Sequence, residues 1–389
     1  MEFYISARNG KAGRSWNEFN VEQDHWSERG RATSVANADA LGRPRRSVLV
    51  LGAMSTSYLG GKITAHKTFV KAITVLMLVT AGSSFAQGIG LGTNCLVSFA
   101  TVDAAKNILT NRDEFVSALS PFDRSARLKT NREVTEREFL EFAGRSALPW
   151  LPDETNKVTT VLNTLKQRLA PWYLPFPSTI LLIKTSGKEE GNASYTRQNA
   201  IVLAQRDVRA PDGGLEQLIT HELFHILSRH NPVLRKQLYR IIGFTPISAI
   251  EYPEELRQRK ITNPDGVQDG WAISITNGNQ VLPTVPILYA SAAQYDALKD
   301  GEFFNYLVFK LLVITNRDSH WQPMLVDGRP LLIEPEEAPS YFAQVGRNTH
   351  YIIHPDEILA DNFVHTVNGN TNLPTPRIVM EMKNVFMQR

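Results

Sequence analysis

One cysteine, Cys95, is all that the 389-residue chain offers. An internal disulfide is therefore impossible, and so is a zinc site built from several thiolates. A surplus of one charge is lacking too: 42 Lys and Arg stand against 39 Asp and Glu. The first 71 residues hold 11 basic and 6 acidic side chains, so the stretch from Gln87 onward is slightly acidic. A near-neutral body argues against broad nucleic-acid binding, which needs a basic face. No apolar run reaches the roughly 20 residues of a membrane-spanning helix. Internal repeats and low-complexity tracts are missing. What remains is an ordinary globular composition, 42% hydrophobic and 21% charged. It is too apolar for a disordered chain and too mixed for a coiled coil. The length suffices for one large core or two smaller ones.

Near the start, Lys67 to Lys71 is basic, Ala72 to Gly82 is apolar and uncharged, and Ser83-Ser84-Phe85-Ala86 ends on a small residue. This order reads as a secretory signal peptide cleaved after Ala86. Cys95, in Gly92-Thr93-Asn94-Cys95, lacks the Leu-x-x-Cys pattern of a lipid anchor. The polar residues 1–66 read as a non-structural extension or a misplaced start, with the true start at or after Met54. The chain thus divides into 1–66, a signal peptide at 67–86 and a working domain at 87–389. The expected destination is outside the cytoplasm, in a bacterial periplasm or the medium, with no stable membrane anchor after cleavage. Gly88-Ile89-Gly90-Leu91-Gly92 reads as a flexible start to the mature chain.

Helical periodicity marks Arg132–Ala147, Val158–Leu169 and Leu215–Arg229. Asn231-Pro232 stops the third and opens another helix, Val233–Ile242. Short apolar runs at Thr179–Thr185 and Asn199–Ala204 predict strands, and strand-like pieces recur at Trp271–Ile275, Thr284–Leu288 and Phe304–Thr315. Asn263-Pro264-Asp265-Gly266 is a turn signal in a loop-rich stretch. His354-Pro355 opens a final helix to about Val367. Helices, strands, a central helix and then a mixed region predict an α+β fold.

The chemistry concentrates in His221-Glu222-Leu223-Phe224-His225. Residues four apart share a helix face, so both imidazoles can bind one Zn²⁺. Glu222 lies beside the metal and can serve as general base toward water. Leu218, Ile219, Phe224, Ile226 and Leu227 would bury this helix. Buried His and Glu without partners are costly, and a metal removes that cost. A catalytic zinc needs a third protein ligand. Ser228 and Asn231 stand where a metzincin extension requires Gly and His, so that pattern fails. His230 reads as a basic helix end favoured by the dipole. Two carboxylate groups compete for the third place. Glu357, one turn before Asp361, can complete the ligand set while Asp361 orients a ligand histidine. Glu251, beside Pro253, is the rival.

His221-Glu222-x-x-His225 followed by Glu357-x-x-x-Asp361 resembles the gluzincin metallopeptidases, of which thermolysin-like enzymes are the best known. The resemblance implies a zincin-like core: a small sheet, an active-site helix and a second helix carrying the Glu ligand. It implies one Zn²⁺ on His221, His225 and Glu357, Glu222 as base, Asp361 as orienter, and hydrolysis of a peptide or protein substrate. Asn199-Ala200 is similar to the family's edge-strand motif, which pairs with extended substrate. The transition-state-stabilising residue has no motif match; Tyr351, His350 and His354, which stand before Glu357, are the candidates, and Tyr351 is assigned the role. The interval from His225 to Glu357 exceeds the family's by on the order of a hundred residues, which implies a large insertion able to reshape the cleft. The rival reading is an exported zinc-binding protein that uses such a fold for recognition without catalysis.

Overall fold

A computed structural model describes residues 88–388 apart from Thr93, Gln268, Asp300 and Ser319. The extension and signal segment fall outside the described residues. The glycine-rich start, expected to be loose, is a strand. β1 (Ile89–Leu91) pairs antiparallel with β2 (Cys95–Phe99), setting Ile89 against Val97 and Leu91 against Cys95. The chain alternates there: Leu91 is buried, whereas a Cβ at Gly90 would meet open space.

Four short helices follow: α1 (Val102–Leu109), α2 (Glu114–Ala118), α3 (Pro121–Arg127) and α4 (Glu136–Arg145). Thr101, Asp113, Ser120 and Thr135 cap them through their side chains. Next come β3 (Ala147–Leu148), α5 (Pro152–Leu169), β4 (Thr179–Thr185), β5 (Tyr195–Arg197), β6 (Ala200–Ala204) and α6 (Gln205–Val208). The first sheet has the order β1-β2-β4-β6-β5, with β3 also on β4. β2, β4 and β6 are parallel, and β5 returns antiparallel at the edge. Successive residues serve opposite faces. Leu182 and Ile201 enter the main core, while Ile183 and Val202 enter a second core under α1, α2 and α4.

Asn199-Ala200 is therefore not an open edge. Leu181 matches Ala200 on one side and Arg197 matches Ala200 on the other, so β6 is paired along both flanks. The edge belongs to β5, formed when the chain reverses through Gln198 at φ 52. Asn199 donates from Nδ2 to the Thr179 carbonyl at 3.0 Å, a sheet contact.

The second half begins with α7 (Asp212–His230) and α8 (Pro232–Ile241), then β7 (Phe244–Pro246), α9 (Glu254–Arg259), β8 (Trp271–Asn277), β9 (Gln280–Ala290), β10 (Leu307–Arg317) and β11 (His320–Pro323). After the short β12 (Leu325–Val326), β13 (Arg329–Pro330) and β14 (Leu332–Ile333) come α10 (Pro339–Val345), α11 (Pro355–Asn368) and α12 (Pro376–Met387). β11-β10-β9-β8-β7 form a second, antiparallel sheet, with β14 on β10. One small sheet was expected; the described residues form two six-stranded sheets and a two-stranded β12–β13 pair, and the second six-stranded sheet is built within the interval between His225 and Glu357. The α+β class stands.

α7 is the central helix. Leu215, Ile219, Leu223, Phe224, Ile226 and Leu227 are all fully buried, and every residue from Ile219 to Ser228 is buried. Each such side chain contributes about 1.5–3 kcal/mol of burial. Its end is fixed by Asn231, whose Nδ2 donates to the Leu227 carbonyl at 2.8 Å before Pro232 stops the helix. α11 packs on α7 through Phe363 against Phe224, ring centroids 5.6 Å apart. It starts on Pro355 and ends at Gly369, whose φ of 69 favours glycine. Among the described residues no helix is long and apolar enough to cross a membrane.

Candidate metal centre

α7 and α11 bring together four side chains that the sequence singled out. His221, Glu222, His225 and Glu357 are all buried, at 8%, 2%, 0% and 1% exposure. Ligand atoms of His221, His225 and Glu357 lie within 4.8 Å of one another. Glu357 Oε2 is 3.0 Å from His221 Nε2 and 3.4 Å from His225 Nε2. Two nitrogens and one carboxylate oxygen thus converge on a point that one metal ion can occupy.

The outer nitrogens fix the rings. His221 Nδ1 lies 2.9 Å from Asp361 Oδ1, whose other oxygen accepts from the Thr349 hydroxyl. His225 Nδ1 lies 2.8 Å from Asp356 Oδ2. With Nδ1–H donating to a carboxylate, each Nε2 points at the centre, and loss of its proton leaves the tautomer that binds metal. Asp361 is where the sequence placed it. Asp356 was missed. It also accepts from Ser228 Oγ at 2.5 Å and Tyr239 Oη at 2.7 Å, and it is 3% exposed. Ser228 lies three residues past His225 on the same helix face, a spacing that could have signalled a shared partner.

Two atoms test whether a metal fits. His225 Nε2 and Glu222 Oε2 are buried without a hydrogen-bond partner among the described residues. Orphaned buried polar atoms are rare and point to a missing ligand. Two borderline imidazoles and a hard carboxylate suit a divalent ion. The residues therefore fit one metal ion, with His221, His225 and Glu357 as its holders.

The remaining expectations are placed as follows. Tyr351 stacks beside His221, centroids 6.3 Å apart and planes 24° apart. Burial, then the carboxylates of Glu357, Asp265 and Asp361, hold its phenol well above the ordinary value, so it keeps its proton. His354 caps α11, its Nδ1 accepting from the Asp356 amide at 3.1 Å. His350 is exposed, and so are Glu251 and His230. Two further site residues escaped the sequence reading. Asn263 donates from Nδ2 to Glu357 Oε1 at 2.5 Å. Asp265 groups with Glu222 and His225, ligand atoms within 4.8 Å of one another.

The metal-free electrostatics follow from these contacts. Burial would lower the His221 value, but the hydrogen bonds to Asp361 and Glu357 outweigh it and raise it to about 10. His225 is likewise pushed well up: burial opposes this, and Asp265, Glu357 and Asp356 overcome it. Burial, reinforced by Asp265, lifts Glu222 to about 8. Burial would raise Glu357 as well, yet the two histidines hold it well below the usual carboxylate range. Without a metal the two histidines carry protons, which an ion must displace. Raising the pH removes that competitor, so apparent metal affinity should rise by at least about tenfold per pH unit from pH 6 to 8. Competition titrations against a chelator of known affinity at three pH values measure this slope; a flat response contradicts the assignment.

No protein family, curated protein or solved structure matches the chain. What the centre can do has to be read from its own geometry.

Proposed function

We propose that the protein is a zinc-dependent hydrolase, a peptidase of the gluzincin type with a zincin-like core, working outside the cytoplasm. One observation carries the reading: a buried His₂Glu triad with a partnerless Glu222 carboxylate oxygen beside it. A purely structural metal does not require a buried base next to its ligands. When bound, the metal polarises a carbonyl and lowers the pKa of water toward neutrality.

The chain's own residues supply the rest. Asp361 and Asp356 hold the two imidazoles in place from behind. Glu222, which the charge of a bound cation would keep ionised, takes a proton from the attacking water and returns it to the leaving amine. Tyr351, which retains its proton and stacks beside His221, would donate to the developing oxyanion. β5, rather than Asn199-Ala200, is the last strand of the sheet on that side; its residues are buried and its Thr196 amide is held by Asp265, so pairing with an extended peptide would need that contact to open. A signal segment at 67–86 supports export to a periplasm or the medium. The composition supports neither a nucleic-acid partner nor a stable membrane anchor.

The test is digestion of a mixed peptide library by the zinc-loaded full chain, with products read by mass spectrometry. Cleavage that stops on chelation and returns with Zn²⁺ is expected. Metal binding without cleavage of any peptide would favour the non-catalytic recognition reading instead.

A further inference from the structure

Glu357 has two carboxylate oxygens, and only one of them serves the histidines. Oε2 lies 3.0 Å from His221 Nε2 and 3.4 Å from His225 Nε2. Oε1 accepts from Asn263 Nδ2 at 2.5 Å. Asn263 stands 94 residues before Glu357, inside the long interval that separates the two helix motifs. Nothing in the reaction above uses it.

The side-chain amide of Asn263 has one way to sit. Its Oδ1 accepts from the Asp265 backbone N–H at 3.0 Å, so the carbonyl side is spent within the turn and the NH₂ side is left for Glu357. The backbone is tied on both flanks. Before it, the Thr262 amide donates to Asp123 Oδ2 at 3.0 Å, and the Thr262 hydroxyl donates to the Ala118 carbonyl at 3.0 Å. The Thr262 carbonyl accepts from Arg127 Nη2 at 3.0 Å, and Arg127 is itself fully buried between Asp123 and Glu190. After it, the Pro264 carbonyl accepts from Arg229 Nη2 at 3.0 Å, and Asp265 Oδ1 accepts from the Thr196 amide at 2.7 Å. These contacts fix the Nδ2 donor against Glu357. A neutral amide also leaves the carboxylate its charge, which a Lys or Arg in that place would offset.

Resting on the metal reading of this site, we propose that Asn263 is a positioning residue for the third ligand: it holds Glu357 Oε1 so that Oε2 alone is presented to the ion. A ligand carboxylate can bind through one oxygen or through both. With Oε1 occupied, the protein supplies three atoms, and the open position that a catalytic ion needs is kept. Without the Asn263 donor, Oε1 is free to turn toward the ion and fill that position. The interval between His225 and Glu357 is thus part of the metal centre, not an addition beside it.

Cobalt-substituted full-length protein tests this. Visible absorption reads the coordination number, because four-coordinate cobalt absorbs more strongly than five-coordinate, and chelator competition reads the affinity. Asn263→Ser keeps an oxygen that can accept from the Asp265 amide, but its hydroxyl is too short to reach Glu357. It should fold, bind cobalt about 10–100-fold more weakly than the wild type and absorb more weakly when saturated. Asn263→Ala should change both readings in the same direction. Wild-type affinity and spectrum in the folded variants overturn the proposal. So does a loss of metal-free stability with affinity and spectrum unchanged, because Asn263 then only braces the turn. Wild type that takes up no cobalt refutes the metal reading itself, and the role of Asn263 falls with it.

Discussion

Glu222→Gln is expected to lower peptide hydrolysis by about 10²–10⁴-fold while leaving metal content unchanged. The amide has the shape of the carboxylate and can still occupy its buried place, but it cannot accept a proton from water. The metal should stay, because His221, His225 and Glu357 hold it without Glu222. Stability gives the second half of the test. An unfolded glutamate titrates near 4.5, and burial lifts Glu222 to about 8 in the metal-free fold. Between those values the folded chain binds a proton that the unfolded chain has released, so this group opposes folding as pH rises through that window. Gln removes the opposition. At pH 7 the variant should be as stable as the wild type or more so. Loss of activity together with loss of the metal or of the fold would contradict the role of base. Steady-state kinetics, elemental analysis and chemical denaturation of the same preparation separate these outcomes.

The largest stability effect is expected at Asp356. Its carboxylate collects His225 Nδ1, Ser228 Oγ and Tyr239 Oη in a place that is 3% exposed. Burial would raise its value, yet the hydrogen bond and charge of His225 lower it, so the folded site keeps it ionised. Asp356→Ala leaves three buried donors unpaired, which should destabilise the metal-free protein by about 3–5 kcal/mol. Denaturation in excess chelator measures this without linkage from bound metal. Asp356→Asn is the milder change. It keeps the volume but presents an amide to His225, and metal affinity should fall about 10–100-fold. A change below about 1 kcal/mol in Asp356→Ala would show that the network is not closed as described.

The two helices that carry the centre were legible because their signals are local. Apolar residues at helical spacing, Asn231-Pro232 and His354-Pro355 set the bounds of α7 and α11. The i, i+4 pairs His221/His225 and Glu357/Asp361 needed only helix geometry. Other features depend on contacts across long sequence distances. Leu91 joins the core only because β2 lies beside it. β6 is interior only because three residues, Tyr195–Arg197, pair on its far side; Arg197 there is buried by Asp113 and by carbonyls of the 109–111 segment. So short a strand with a buried arginine leaves no alternating apolar pattern. Asp356 stands in the first turn of α11, where the dipole alone favours an acidic residue, and its burial depends on Tyr239 of α8, 117 residues away. Asp265 was visible as a turn residue, but not as a metal neighbour, because the fold alone brings Asn263–Gly266 over α7.

Metal stoichiometry of the purified full-length chain tests the central claim most directly, measured beside Glu357→Ala and Glu251→Ala. The wild type and Glu251→Ala should each hold one divalent ion per chain, and Glu357→Ala should lose it. A wild type without metal, or loss in Glu251→Ala with retention in Glu357→Ala, would contradict the His221/His225/Glu357 centre.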